Sequence, residues 1–217
     1  MDEARLREEI CRVGASLFGR GYVHGTAGNI SARLADGFLI TPTDACLGFL
    51  DPAGLARVDA EGNAAPGERP SKTLALHRRI YRADASAGCV IHTHSTHAVA
   101  LSLAGAWSEA ELLAPITPYF VMKVGHVPVV PYHRPGAVAA AEWVARAIAR
   151  YGSAGTPIRA VMLERLGPNV WHEAPATAMA VLEELEETAR LACLVRDAPP
   201  LTDAQIDQLR ATFGARW

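Results

Sequence analysis

Two histidines separated by one residue, His92 and His94, carry the most legible chemistry in the chain. Cys89, Val90 and Ile91 precede them and read as a short buried strand. Alternate residues of a strand share a face, so the spacing directs both imidazoles at one point. Neutral imidazole is a common ligand of zinc and similar divalent ions, and a strand ending in His-x-His is a platform for one. The pair alone leaves a second reading open, in which both rings serve local hydrogen bonds at a strand end. Ser95 is a helix-capping residue type, and Thr96 to Leu103 follows with helical character.

A second set of residues has the character of an anion site. Gly25, Thr26, Ala27 and Gly28 lead into Asn29, and such a small-residue loop leaves backbone amides free for an anion. Thr41-Pro42-Thr43 breaks a strand ladder and presents two hydroxyls. Arg69-Pro70-Ser71-Lys72-Thr73 opens a helix with Ser71 in the N-cap position, and Lys72 adds positive charge at that start. Each has a plainer alternative: an ordinary loop, a turn, a solvated lysine. His77 lies on the apolar face of the helix and reads as a hydrogen-bonded core residue.

The elements that must position these groups follow from periodicity. Residues 2–19 form an amphipathic helix with Leu6, Ile10, Val13 and Leu17 on one face. Asn29 to Leu34 is a strand, Asp36-Gly37 a hairpin turn, and Phe38 to Thr41 the return strand, with a further short strand near Leu55 to Val58. Asp59 to Pro70 reads as a surface loop. Val127 to Pro131 is an edge strand, because its prolines cannot donate to a central ladder. A helix is expected over 137–151, strands at 160–163 and 169–172, and the longest helix over 175–195, with Thr202 capping a last one. The pattern is an α/β fold, a three-layer α/β/α sandwich around a mixed, largely antiparallel sheet.

Half of the 217 residues are hydrophobic, enough for one core, and residues 1–217 are expected to form a single domain. A net charge of −2 without a basic cluster argues against nucleic-acid partners. No apolar run is long enough for a membrane span and no signal peptide is evident, so a cytoplasmic protein is expected. Cys11, Cys46, Cys89 and Cys193 have no paired spacing, which suits reduced thiols.

Gly28-Asn29-Ile30-Ser31-x-Arg33, Thr41-Pro42-Thr43, Pro70-Ser71, His77-x-x-x-Tyr81 and His92-x-His94-Ser95 occur in the order and spacing of the class II aldolase/adducin family, which the chain resembles over about residues 3–195. His24-Gly25, Ser95-Thr96-His97, Thr117-Pro118-Tyr119, the Pro-Tyr-x-Arg-Pro-Gly ending at Gly136 and the acidic run 183–188 look most like its 3-oxo-tetronate 4-phosphate decarboxylase branch. The resemblance implies a divalent ion, usually zinc, on His92, His94 and a third histidine, with a glutamate as acid/base. It implies a substrate phosphate among Thr26, Gly28, Asn29, Thr43, Ser71 and Lys72. It also implies a homotetramer with the site at a subunit interface, with Tyr119 the candidate to assist proton transfer.

Two positions depart from that pattern. Thr73 stands where the acid/base glutamate is expected, and Leu166 where the third histidine is expected. Neither can do the replaced residue's work. Asp44, beside the phosphate loop, is a further anomaly, since a carboxylate repels a phosphate. Glu164, His126, His133 and His172 are the candidate replacement ligands. Two functions follow: a metal-dependent lyase, cleaving or decarboxylating a small hydroxylated sugar or sugar-acid (phosphorylated or not) through an enediolate, or a non-catalytic binding or assembly protein on the same fold.

Overall fold

The computed structural model describes residues 2–217. Among them are strands β1 (Asn29–Leu34), β2 (Gly37–Ile40), β3 (Ala56–Asp59), β4 (Cys89–His92), β5 (Val129–Val130), β6 (Ala160–Leu163) and β7 (Gly167–His172). They form one sheet in the order β3-β2-β1-β4-β7-β6-β5. Every pairing is antiparallel except β5 with β6, which closes the proline-bounded edge. The helices are α1 (Glu3–Gly19), α2 (Leu74–Ala83), α3 (Thr96–Ala104), α4 (Val138–Ser153), α5 (Pro175–Leu194) and α6 (Asp203–Phe213).

Strand alternation builds two cores. Ile30, Cys89, Ile91 and Val170 face one side and pack with Ile10 and Leu17 of α1 and Val181 and Leu182 of α5. Val90, Val161 and Trp171 face the other and pack with Ile80 and Tyr81 of α2 and Val144 and Ile148 of α4. The expected three layers are therefore present, with apolar burial on both faces driving assembly.

The helix starts correct two expectations. Ser71 does not cap α2: Thr73 occupies the N-cap position, and the Ser71 hydroxyl lies 3.0 Å from the Thr73 hydroxyl in the turn before it. Ser95 holds the N-cap position of α3 but makes no capping bond; its hydroxyl is 2.6 Å from that of Thr93. The cap comes from a distant element instead. Buried Glu186 of α5 accepts the backbone N–H of His97 at 2.9 Å and of Ala98 at 3.0 Å. A carboxylate meeting free N–H groups at a helix start satisfies both partners.

The family-like motifs on β1 and α2 meet as scaffold. The Ser31 hydroxyl lies 2.7 Å from His77 Nδ1 and 2.8 Å from the Tyr81 hydroxyl. Arg33 donates to the backbone oxygens of Tyr81 and Ala87. His77 is fully buried, as its place on the apolar face implied. No helix among the described residues is long and apolar enough to cross a membrane.

Candidate active site

The antiparallel register carries three polar residues to one end of the sheet. Asn29 opposes His92 across β1 and β4, and His92 opposes Asn169 across β4 and β7. All three are buried, on the face that α2 and α4 cover. Strand β4 ends at His92, so His94 does not share a strand face with it, contrary to expectation. The two rings nevertheless converge, with centroids 5.1 Å apart and planes at 66°.

His92 Nδ1 lies 2.9 Å from the Pro168 carbonyl oxygen, and the Asn169 amide is 3.3 Å from the same nitrogen. A carbonyl can only accept, so the proton sits on Nδ1 and Nε2 keeps its lone pair. Burial, with the neighbouring His94, holds the His92 pKa down at about 4, so the ring is neutral near pH 7. Burial and His24 lower that of His94 as well.

Two glycines fix this strand end. A Cβ at Gly28, whose φ is +84°, would lie 2.8 Å from the His92 carbonyl oxygen. A Cβ at Gly167 would lie 1.9 Å from that of Thr93. Neither position accepts a side chain. Gly167 also brings the β6–β7 turn against His94.

The candidate anion loops gather at the same end. Thr43 N donates to the Arg69 oxygen at 2.9 Å and Ser71 N to the Thr41 oxygen at 3.1 Å, joining the Thr-Pro-Thr and Arg-Pro-Ser segments. The Thr41 hydroxyl accepts the Ile30 N–H, which ties that ladder to β1 beside Asn29. The Asn29 side-chain oxygen is buried without a hydrogen-bond partner, an acceptor available to a bound hydroxyl. Thr26 and Lys72 are exposed. Asp44 is exposed with φ +58°.

His92, Lys72, Thr73 and Leu166 share the lining of a cavity of about 230 Å³. Glu164 and His133 line it too, whereas the other two replacement candidates are engaged elsewhere. His126 is 2.6 Å from Glu111, and His172 ends β7 at the opposite end of the sheet. Tyr119 is 59% exposed at the start of the short π-helix Phe120–Val124 and does not line the cavity. The structure does not bring it to the histidines within one chain.

Two imidazoles on one tetrahedral zinc, with Zn–N near 2.0–2.1 Å, have centroids about 5 Å apart, so the pair fits two positions of a divalent ion. Among the described residues no group of three or more His, Cys, Asp or Glu is placed to complete the sphere. His24 is the nearby imidazole that the motif reading passed over as a site residue. Its ring is 6.4 Å from that of His94, too far to share an ion with it at a tetrahedral angle.

The histidine pair thus lies at one end of a seven-stranded mixed sheet, with Gly28 and Gly167 closing on its backbone. The model of the Class II Aldolase and Adducin N-terminal domain matches residues 8–193, and the chain belongs to that family. It is 54% identical over 221 residues to a 3-oxo-tetronate 4-phosphate decarboxylase of Cupriavidus necator, covering 99% of each. Among solved structures it resembles YgbL from Escherichia coli, with TM-score 0.85, 40% identity and coverage of 96% of this chain and 99% of that one. L-fuculose-1-phosphate aldolase from Thermus thermophilus matches with TM-score 0.72 at 31% identity, covering 92% and 100%. The curated relatives that span nearly the whole chain are lyases, and the chain is an enzyme of that class.

Proposed function

We propose that the chain decarboxylates a small 3-oxo sugar-acid phosphate, with a divalent ion, zinc by preference, on His92 and His94. The observation that carries this reading is the neutral His92 ring, its Nδ1–H held by the Pro168 carbonyl and its other nitrogen free as a ligand. Such an ion supplies Lewis-acid stabilisation for negative charge developing on the substrate's oxygens.

The protein's own residues divide the remaining work. Thr26, Gly28, Asn29, Thr43, Ser71 and Lys72 hold the phosphate, with Lys72 the cation among them. The free Asn29 oxygen accepts a substrate hydroxyl. Thr73 and Leu166 favour decarboxylation over aldol cleavage. Cleaving an aldol requires a base to take a hydroxyl proton, and a threonine hydroxyl is a poor one. In decarboxylation the breaking carbon–carbon bond delivers its electron pair toward the 3-oxo oxygen as carbon dioxide leaves. No proton is abstracted, and a later protonation at carbon completes the turnover. We place Tyr119 at the site of an adjoining subunit, as proton donor, in a homotetramer of the cytoplasm. Its exposure within one chain supports that placement.

The test is metal analysis of protein purified without chelator, with carbon dioxide release measured on 3-oxo-tetronate 4-phosphate. Near-stoichiometric divalent metal and release restored by zinc, manganese or cobalt are expected. Absence of both sinks the proposal.

A further inference from the structure

The fold also gathers cations away from the histidines. Arg159 immediately precedes β6, and its carbonyl accepts the Trp171 N–H at 2.9 Å, beside the His172 end of β7. The residue is half-buried. Arg216 follows α6, and the segment carrying it is fixed on both sides. Gly214, with φ +66°, turns the chain at the end of α6. The Trp217 ring stacks on His126 at 4.3 Å and meets Phe120 at 5.7 Å, while Arg210 Nε donates to the Trp217 oxygen at 3.0 Å. Lys123 is exposed on the π-helix that follows Tyr119.

These three cations come from separate elements yet line one cavity of about 250 Å³. Its lining contains no carboxylate and shares no residue with the cavity at His92. Arg159 and Arg216 also line an adjoining cavity, beside Asp84 and Ser86. None of the three forms an ion pair among the described residues. Asp84 is already engaged, accepting the Trp171 Nε1–H at 3.0 Å and the Ser86 hydroxyl at 2.6 Å. Burial, then the Arg216 guanidinium, lower the pKa of Arg159, against smaller opposing effects of Asp84 and Glu173. Two guanidinium groups in one lining without a paired counter-charge favour an anion between them.

We infer that Lys123, Arg159 and Arg216 form a binding site for a ligand carrying a diphosphate group, separate from the site at the histidines. A guanidinium presents a planar fork of N–H donors that matches phosphate oxygens, and the lysine ammonium adds a point charge. A dry cavity of roughly 150 Å³ accepts benzene, so about 250 Å³ has room for two linked phosphates. Bound there, the anion ties the segment after α6 to the π-helix and to the start of β6. Occupancy therefore stabilises the fold, as any ligand of the native state alone does.

Calorimetry and thermal unfolding with sodium diphosphate, set against inorganic phosphate at equal ionic strength, test this directly. Diphosphate should bind about tenfold or more tightly than inorganic phosphate and should raise Tm. The double substitution Arg159→Gln, Arg216→Gln should lose one binding event per chain, and the Tm rise with it. Zinc loading and carbon dioxide release should be unchanged in that variant, since neither arginine belongs to the histidine end. Any diphosphate held at the histidines persists in both proteins and cancels in the comparison, so the result stands apart from the proposed decarboxylation. Equal binding by the parent and a folded double variant overturns the inference, as does a parent affinity weaker than about 1 mM. Should the double variant fail to fold, Lys123→Gln, at an exposed position, must weaken diphosphate binding about threefold or more, and an unchanged affinity there is equally decisive against it.

Discussion

Position 73 carries a hydroxyl and position 166 an isobutyl group, and both share one cavity lining with His92. Their chemistry sets what the histidine pair can do. Two protein ligands hold a divalent ion less firmly than three, and a threonine hydroxyl is a poor base. The double substitution Thr73→Glu, Leu166→His should therefore raise zinc affinity by about tenfold or more and add aldol cleavage to the activity. Dialysis against a zinc buffer and an aldehyde-release assay check both. Unchanged affinity in a folded double variant would mean that the backbone at 73 and 166 does not aim side chains at the pair.

At the scale of elements, the junction of β4 and α3 is the part to probe. Glu186 reaches across from α5 to accept two N–H groups of α3 and also lies 2.8 Å from His97 Nδ1. Glu186→Ala should cost about 2 kcal/mol and lower Tm by about 4–8 °C, read by thermal unfolding. Chain order gave most of this architecture. The helical period located α1 and α5, each with one regular buried face, and short apolar runs and turn signals located β1, β2 and β4, which are buried on both faces. Glu186 was legible only as part of an acidic run, since no local pattern separates a capping carboxylate from solvated ones. Ser71 and Ser95 misled for the matching reason: a capping residue type marks a helix start, while tertiary partners decide which group makes the bond. The site was half legible. His92 and His94 declared themselves by spacing, whereas only the fold brings the His24 ring within 6.4 Å of that of His94.

For the molecule as a whole, acidity should act through buried histidines. His77 is held at a pKa of about 3 by burial, with His92 adding to it, and His92 at about 4, both down from 6.5. Both rings are neutral in the fold and take up protons only on unfolding. The unfolded chain thus binds more protons below pH 6.5, and stability falls as pH drops from there through 4 and on toward 3. Unfolding at pH 5 should take up about two protons from these residues, and His77→Gln should remove one of them. Denaturant titrations between pH 4.5 and 7 measure the slope. A flat profile would contradict the burial of these rings.

The two glycine contacts that pin the end of β4 also bear on the heat of metal loading. Gly28 and Gly167 leave the strand end no room to rearrange, so the imidazoles already stand in place before an ion arrives. Folding and loading are then separate events, unlike small zinc domains that are unfolded without metal. Little apolar surface would leave water on binding, so titrations at several temperatures should give nearly parallel enthalpies, with a heat-capacity change close to zero.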